Sequence, residues 1–325
     1  MHAYSESLHG FQISPYMQER MAYVGQSDVY SESNDLISKL LRIELNPMQV
    51  YRVTDKIGSL SEGVIDAGSV SDLDIKDTDI VYAQADGAMV LTREQGWQEV
   101  KTGRIFKHSD ILEISMKRKE LQNSIYVSNL GHYNDFLEKF EPLTDSLGHL
   151  GKRLVFISDG ATWLRNWTSS SYPEATHILD VFHGNQHLSQ TLNILCKGEQ
   201  QQKVLFKLWS AMLTEQGVFP LIECIKASFS QEQLTKTQQE SKDKLLNYLN
   251  NNAFRMNYPE YIKRGLVIGS GAIESAQRTI LQKRLKRAGQ RWSEKGVDNM
   301  LNLRVAQLSK KWDNVIEIIV NKKAA

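Results

Sequence analysis

Two apolar runs in this chain stop at the same dipeptide, and that repetition constrains the fold more than any other feature. Ile80-Val-Tyr-Ala-Gln-Ala leads into Asp86-Gly87, and Leu154-Val-Phe-Ile-Ser leads into Asp159-Gly160. Short apolar stretches bounded by turn residues read as buried strands. A carboxylate where such a strand ends sits on a rigid element at the rim of a sheet, where α/β proteins bind ligands. Asp-Gly after a strand also simply makes a turn, so either run alone says little. Two such strands side by side would bring two carboxylates together, which repulsion and desolvation disfavour unless a divalent cation is present. Hard oxygen ligands suit Mg²⁺, with Mn²⁺ as a substitute.

The remaining pattern supplies an α/β framework around these runs. Residues 97–106 and 124–127 read as further strands, and 133–150 as a helix burying Phe136, Phe140, Leu143 and Leu147. Residues 163–167 suit a short helix and 178–181 another buried strand. From 184 the strand signal disappears. Leu192, Leu195, Leu205, Leu208, Leu213, Leu245 and Leu249 recur at helical spacing, which predicts an all-helical block over 184–265. Strand character returns at 266–268, and Gly269-Ser-Gly271 opens a helix expected to reach about Ala288. The core is therefore expected over 80–183, interrupted by the block and completed by 266–325.

Glu274 lies in the first turns of that last helix. Three carboxylates, Asp86, Asp159 and Glu274, are enough to hold two metals about 4 Å apart, the arrangement for in-line displacement at phosphorus. The Gly269-x-Gly271 pair is not a dinucleotide loop, because Glu274 occupies the third-glycine position and too little chain remains for a βαβ continuation. From Arg278 to Arg291 the chain carries Arg278, Lys283, Arg284, Lys286, Arg287 and Arg291 without an acid. Lys+Arg total 39 against 38 Asp+Glu, a formal net charge of +1, so such a concentration is segregated charge of the kind a polyphosphate backbone requires. Asp180 and His183, with His187 one helical turn on, form a second cluster. Position 184 is Gly where a zinc protease needs Glu, so a hydrogen-bonding role beside the acidic site is expected of Asp180 and His183.

The first 59 residues read as a small helical unit. Ser14-Pro15 and Asn46-Pro47 are caps followed by proline at the first helical position. Gly25 and Gly58 are placed to end the helices that these open. Between them a helix over 33–42 would bury Leu36, Ile37, Leu40 and Leu41. The third helix buries Val50, Val53 and Ile57 and exposes Gln49, Arg52, Thr54 and Lys56, the pattern of a helix-turn-helix, in which Gln49 and Arg52 would be the candidates to read DNA, or of a three-helix cap that packs on the next domain. Residues 60–79, rich in Asp, Ser and Gly, read as an acidic linker. Cys196 and Cys224 are too few for a disulfide framework and fit a reducing, cytoplasmic setting. No charged-then-apolar leader opens the chain, and no apolar run reaches the roughly 18 residues that a bilayer demands.

Taken jointly, these motifs resemble bacterial insertion-sequence transposases of the DDE class. The stretches that carry the resemblance are Ala85–Lys101, Ser158–Trp163, Asp180-Val-Phe-His183, and Gly269–Ser275 with its basic helix through Trp292. The family's catalytic domain is ribonuclease H-like. The resemblance therefore implies an α/β fold with a ribonuclease H-like mixed sheet, an all-helical insertion before the Glu-bearing helix, and a small helix-turn-helix unit in front. It implies Asp86, Asp159 and Glu274 as catalytic residues and ligands of two Mg²⁺ ions. It implies double-stranded DNA as partner, both element ends and target, in a complex of at least a homodimer near the nucleoid. Arg278, Lys283, Arg284, Arg287 and Arg291 would contact phosphates. The alternative is a domesticated DNA-binding repressor that performs no chemistry.

Overall fold

The computed structural model describes residues 10–115, 118–229 and 234–321. The chain divides into two compact units, one of Met1–Leu150 with Ala272–Ala325, the other of Gly151–Gly271. These boundaries differ from the expected ones: residues 151–183, expected in the first part of the core, fall in the same unit as the helical block.

The first unit begins with three helices, α1 (Pro15–Ser27), α2 (Tyr30–Leu41) and α3 (Pro47–Leu60). The expected caps are present. Ser14 Oγ accepts the Met17 N–H, Asn46 Oδ1 accepts the Met48 N–H, and Gln49 Oε1 accepts the Asn46 N–H to close a capping box. Val50, Val53 and Ile57 are buried with Met21 and Ala22 of α1, and their partners come from the far end of the chain: Leu303, Ala306, Val315 and Ile319. Residues 1–59 thus share a core with the C-terminal helices.

Gly25 and Gly58, expected as helix stops, lie inside α1 and α3. A Cβ on Gly25 would overlap Thr54 Oγ1, and one on Gly58 would overlap the Asn299 carbonyl, so both serve close helix approach. Thr54, expected outside, is buried at that crossing and donates to the Met21 carbonyl at 3.2 Å. α2 departs furthest from expectation. Ile37 is buried, whereas Leu36, Leu40 and Leu41 are exposed. Amphipathic spacing marks a face; it does not supply the surface that covers it.

β1 (Val81–Thr92) and β2 (Gly96–Lys107) form an antiparallel hairpin, and β2 pairs along its other edge with β5 (Ile125–Leu130). Between them β3 (Ile111–Ser115) and β4 (Arg118–Leu121) make a separate ribbon that the sequence pattern did not reveal. α4 (Tyr133–Asp145) packs on β2 where Gly103 leaves room for Phe140. The expected linker is ordered in part: a 3₁₀ turn over Ala67–Leu73, capped by Asp66, buries Val70 and Leu73.

In the second unit β6 (Leu154–Ser158) and β7 (Thr176–Leu179) are parallel, joined through α5 (Thr162–Ser171). The helical block follows as α6 (Val181–Leu195), α7 (Glu199–Glu215), α8 (Val218–Ser228), α9 (Lys236–Asn252) and α10 (Tyr258–Lys263). Of the seven leucines at helical spacing, Leu192, Leu195, Leu213, Leu245 and Leu249 are buried, whereas Leu205 is half-buried and Leu208 exposed. Residues 266–268 form no strand, although the Ile268 carbonyl accepts the Val181 N–H at 3.0 Å.

The chain then returns to the first unit. α11 (Gly271–Gln277) passes through a π-helical turn over Arg278–Gln282 into α12 (Lys283–Leu285), ending short of the expected Ala288. α13 (Glu294–Leu308) and α14 (Trp312–Val320) complete it. The protein is a mixed α/β chain with antiparallel strands in one unit and a parallel pair in the other. Among the described residues no helix is long and apolar enough to cross a membrane.

Candidate active site

Asp86 sits in the middle of β1, because the strand continues to Thr92. Its Asp-Gly pair makes no turn; Gly87 stays in register with Lys101. The glycine answers another demand. Any Cβ there would overlap Glu99, which Lys101 Nζ holds in place at 2.8 Å while also donating to the Gly131 carbonyl at 2.9 Å. Asp86 Oδ1 accepts the Gly87 N–H at 2.7 Å.

Alternation along a strand puts Gln84 on the same face as Asp86. Gln84 Oε1 accepts the Ile273 N–H at 2.9 Å, and Arg104 Nη1 of β2 donates to the Ala272 carbonyl at 2.7 Å. Two buried side chains therefore seat the first turn of α11, with exposed Glu274 on it, against β1 and β2. Burial lowers the Arg104 guanidinium from its usual value, and the Tyr126 ring 5.0 Å away partly offsets that cost. Neither Gln84 nor Arg104 stood out in the sequence, since a polar residue within a strand run gives no local sign of a partner so distant along the chain.

In the second unit Asp159 directly follows β6. Its Oδ1 accepts the Ala161 N–H at 2.9 Å in a tight Asx turn. The ring of His183 lies over the next residue: a Cβ on Gly160 would stand 2.8 Å from His183 Nε2. Parallel pairing brings Asp180 alongside, with its N–H donating to the Ser158 carbonyl at 2.8 Å. Asp180 then caps α6. Its Oδ1 accepts the Phe182 and Ser270 N–H groups, each at 3.1 Å, and Oδ2 accepts the Ser270 hydroxyl at 2.8 Å. The structure thus places Asp180 and His183 beside the Asp159 turn, with Asp180 acting as a clamp.

Arg255 and Tyr248 belong to the same neighbourhood and were missed in the sequence. Arg255 is 2% exposed; it donates to Ser158 Oγ at 3.1 Å and twice to Asn252 Oδ1, at 3.1 and 2.7 Å. Burial holds its guanidinium below the usual value. The Tyr248 ring lies 3.9 Å from that of His187, and its buried hydroxyl has no hydrogen-bond partner among the described residues. Burial pushes Tyr248 upward; burial and then His183 push His187 downward, keeping that imidazole neutral at neutral pH.

The basic residues separate into three groups. Arg278, Lys283 and Arg291 are exposed, as is Arg52 on α3. Arg287 is paired with Asp28 at 2.6 Å and Glu32 at 3.1 Å. Arg284 is fully buried, donating from Nε to the Gly25 carbonyl at 3.0 Å, so the phosphate contact expected of it has no surface to act from. Gln49 keeps its carbonyl oxygen on the α3 cap. Among the described residues no group of three His, Cys, Asp or Glu side chains is gathered that could hold a metal ion. A family model described as Uncharacterised protein family (UPF0236) matches residues 53–317. No curated protein matches the chain.

Proposed function

The chain belongs to the UPF0236 family, and for this member we propose a DNA transposase that cuts and joins phosphodiesters with Asp86, Asp159 and Glu274 on a ribonuclease H-like core. The observation that supports this best is the seating of Glu274. The Gln84–Ile273 hydrogen bond brings the Glu274 turn onto the face of β1 that bears Asp86, although the two acids are far apart in sequence. Asp159 stands between them in chain order, on its own strand end. The donor chemistry fits a hard cation: all three are carboxylates, and Asp159 Oδ2 has no hydrogen-bond partner among the described residues. Two Mg²⁺ ions held by these acids would supply activation of the attacking oxygen and charge neutralisation at the leaving one. On this reading the acids need not be gathered in advance, because like charges repel until cations and a phosphodiester neutralise them. His183 orients the Asp159 turn, Asp180 holds the 269–271 segment that leads into α11, and exposed Arg278, Lys283 and Arg291 meet phosphates. Arg52 is the α3 side chain offered to a DNA groove.

The test uses the full chain, duplex DNA carrying the repeats that flank the gene, and Mg²⁺ with and without a chelator. Cleavage at the repeat ends that needs the metal is expected. Asp86→Asn is expected to bind the DNA normally and to lose cleavage at least 10³-fold. Retained cleavage by that variant would remove Asp86 from the mechanism. Binding without metal-dependent cleavage by the unaltered chain would instead favour the repressor reading.

A further inference from the structure

The residue that fails as a phosphate contact points to a different site. Arg284 forms the floor of a cavity of about 510 Å³ in the first unit, bounded by the starts of α2 and α3 and by the segment joining α12 to α13. Its guanidinium carbon lies 4.6 Å from the Tyr30 ring centroid and 4.8 Å from that of Trp292. The side chain is 0% exposed, and neither Nη1 nor Nη2 makes a well-formed hydrogen bond among the described residues, although Tyr30 and the Asp28 carboxylate help to hold its charge. A buried cation with unsatisfied N–H groups is costly, and such an orphan is expected only where another partner completes it. Gln290, also on the cavity wall, leaves Oε1 without a donor.

The walls tell what kind of partner fits. Tyr30, Tyr51 and Trp292 present aromatic surface, with Tyr30 and Tyr51 edge to face at 5.4 Å. Arg93 and Arg291 are exposed, and with Arg284 they make three arginines on a lining that holds no acid. Trp292 is pinned there by the backbone, since its carbonyl accepts the Arg93 N–H at 2.8 Å and its N–H donates to the Leu91 carbonyl at 3.4 Å. Aromatic faces, guanidinium donors and a volume in the range of small-molecule pockets are the requirements of a flat, acceptor-bearing ring attached to an anion.

We propose that this cavity binds one unpaired nucleotide, its base against Tyr30, Tyr51 and Trp292 with an acceptor edge toward Arg284, and its phosphate between Arg93 and Arg291. The site involves none of the three catalytic acids and shares only Arg291 with the phosphate contacts proposed above, so the Tyr51 variant, read without metal, tests it apart from the transposase reading. The nucleotide comes either free from solution or as an unstacked residue of a DNA strand, and the base-and-phosphate chemistry is common to both. Guanine is the natural probe, because its O6 and N7 offer a guanidinium two acceptors on one edge.

The experiment is calorimetric titration of the full chain without metal. Ligands are dGMP, inorganic phosphate, a blunt duplex, and the same duplex ending in one unpaired guanine nucleotide. Saturable one-to-one binding of dGMP, at least tenfold tighter than phosphate, is expected. Tyr51→Ala and Arg291→Ala, both at exposed positions where folding is not at stake, should each weaken it about tenfold. If the overhang also tightens duplex binding in a Tyr51-dependent way, the nucleotide belongs to a strand; if only dGMP responds, it is a free nucleotide. Should dGMP and the overhang bind no better than phosphate and the blunt duplex, or should both folded variants bind dGMP unchanged, the proposal is overturned. Arg284→Met serves as a further check. It should abolish the dGMP response, and circular dichroism will show whether it folds; if it does not, the two surface variants decide the question.

Discussion

The segments that carry Asp159 and Asp180 in the second unit and the segment that carries Glu274 in the first are fixed by different means. In the second, the backbone does it: Asp159 and Asp180 follow adjacent parallel strands, and N–H groups of their own loops and helix start hold their carboxylates. In the first, side chains do it: Gln84 and Arg104 reach out of β1 and β2 to backbone groups beside Glu274. Backbone fixing engages the acid itself, and at Asp180 the distant Ser270 adds its own N–H and its hydroxyl. Side-chain fixing positions the segment through its backbone, at Ala272 and Ile273. An acid whose two oxygens are both taken, as in Asp180, is a structural element; one held by a single oxygen, as in Asp159, has capacity left for a ligand.

The largest effect should separate these two aspartates. Asp180→Ala removes a helix cap, worth about 1 kcal/mol, and two charge-assisted bonds to Ser270, each worth about 1.5 kcal/mol or less when shared. A loss of about 3 kcal/mol in urea unfolding is expected. Asp159→Ala removes one local bond and should cost about 1 kcal/mol, while Asp180→Asn, which keeps one acceptor, should fall between. Equal costs for the two alanine variants would mean that the clamp and the ligand-ready acid have been wrongly told apart.

A smaller effect is expected at the side-chain clamp. Gln84→Ala leaves the Ile273 N–H unpaired in a buried setting, a cost of about 1–2 kcal/mol. The diagnostic readout is local. Hydrogen exchange at Ile273 and the residues just after it should speed up, while amides near Asp159 remain as protected as before. In a cleavage assay the same variant should lower kcat more than it changes DNA affinity, because only the placement of Glu274 has been loosened. Faster exchange throughout both units would show that Gln84 supports the fold generally and does not position α11.

How much of this was legible in the sequence follows the same division between local and distant causes. The caps at Ser14 and Asn46 were readable because a cap, a proline and an apolar period lie within one turn of each other. The strand before Asp159, the helical block and the Asp180–His183 turn were readable for the same reason. Gly25 and Gly58 were misread as stops because a glycine at a close helix crossing looks the same in sequence as a glycine that ends a helix. The leucines of α2 announced an apolar face whose covering surface is a separate matter. Arg284 was read with its basic neighbours, and its burial depends on Tyr30 and Gly25, from the opposite end of the chain. At the candidate site the three acids were named from their strand and helix contexts, whereas Gln84, Arg104, Arg255 and Tyr248 act only through contacts that folding creates.

The smallest expected effect is a difference in how the units respond to acid. His177 and His187, both in the second unit, are held below the usual imidazole value by burial. Around His187 the second cause is His183; around His177 a hydrogen bond to the Tyr172 carbonyl works upward and Arg255 works downward. Unfolded, both take up protons near about pH 6.5; folded, only at lower pH. The folded unit therefore binds fewer protons in that window, and their contribution to its stability is present above about pH 6.5 and lost as pH falls through the depressed folded values. The first unit contains a group of opposite sign. Burial raises the Asp298 carboxyl, so its contribution is fully present below the unfolded value of about 3.9 and lost as pH rises through the raised folded one. Acidification from neutrality should thus loosen the second unit while easing Asp298 in the first. Hydrogen exchange at Leu188 and Leu192 against Val297 and Leu301, at pH 7 and 5.5 after correction for intrinsic rates, should show protection falling more in the first pair than in the second. The shift should be modest, because His187 is only half-buried. His187→Gln should shrink the difference without removing it, since His177 remains. An unchanged difference in that variant would assign the acid response to His177 alone and leave His187 outside it.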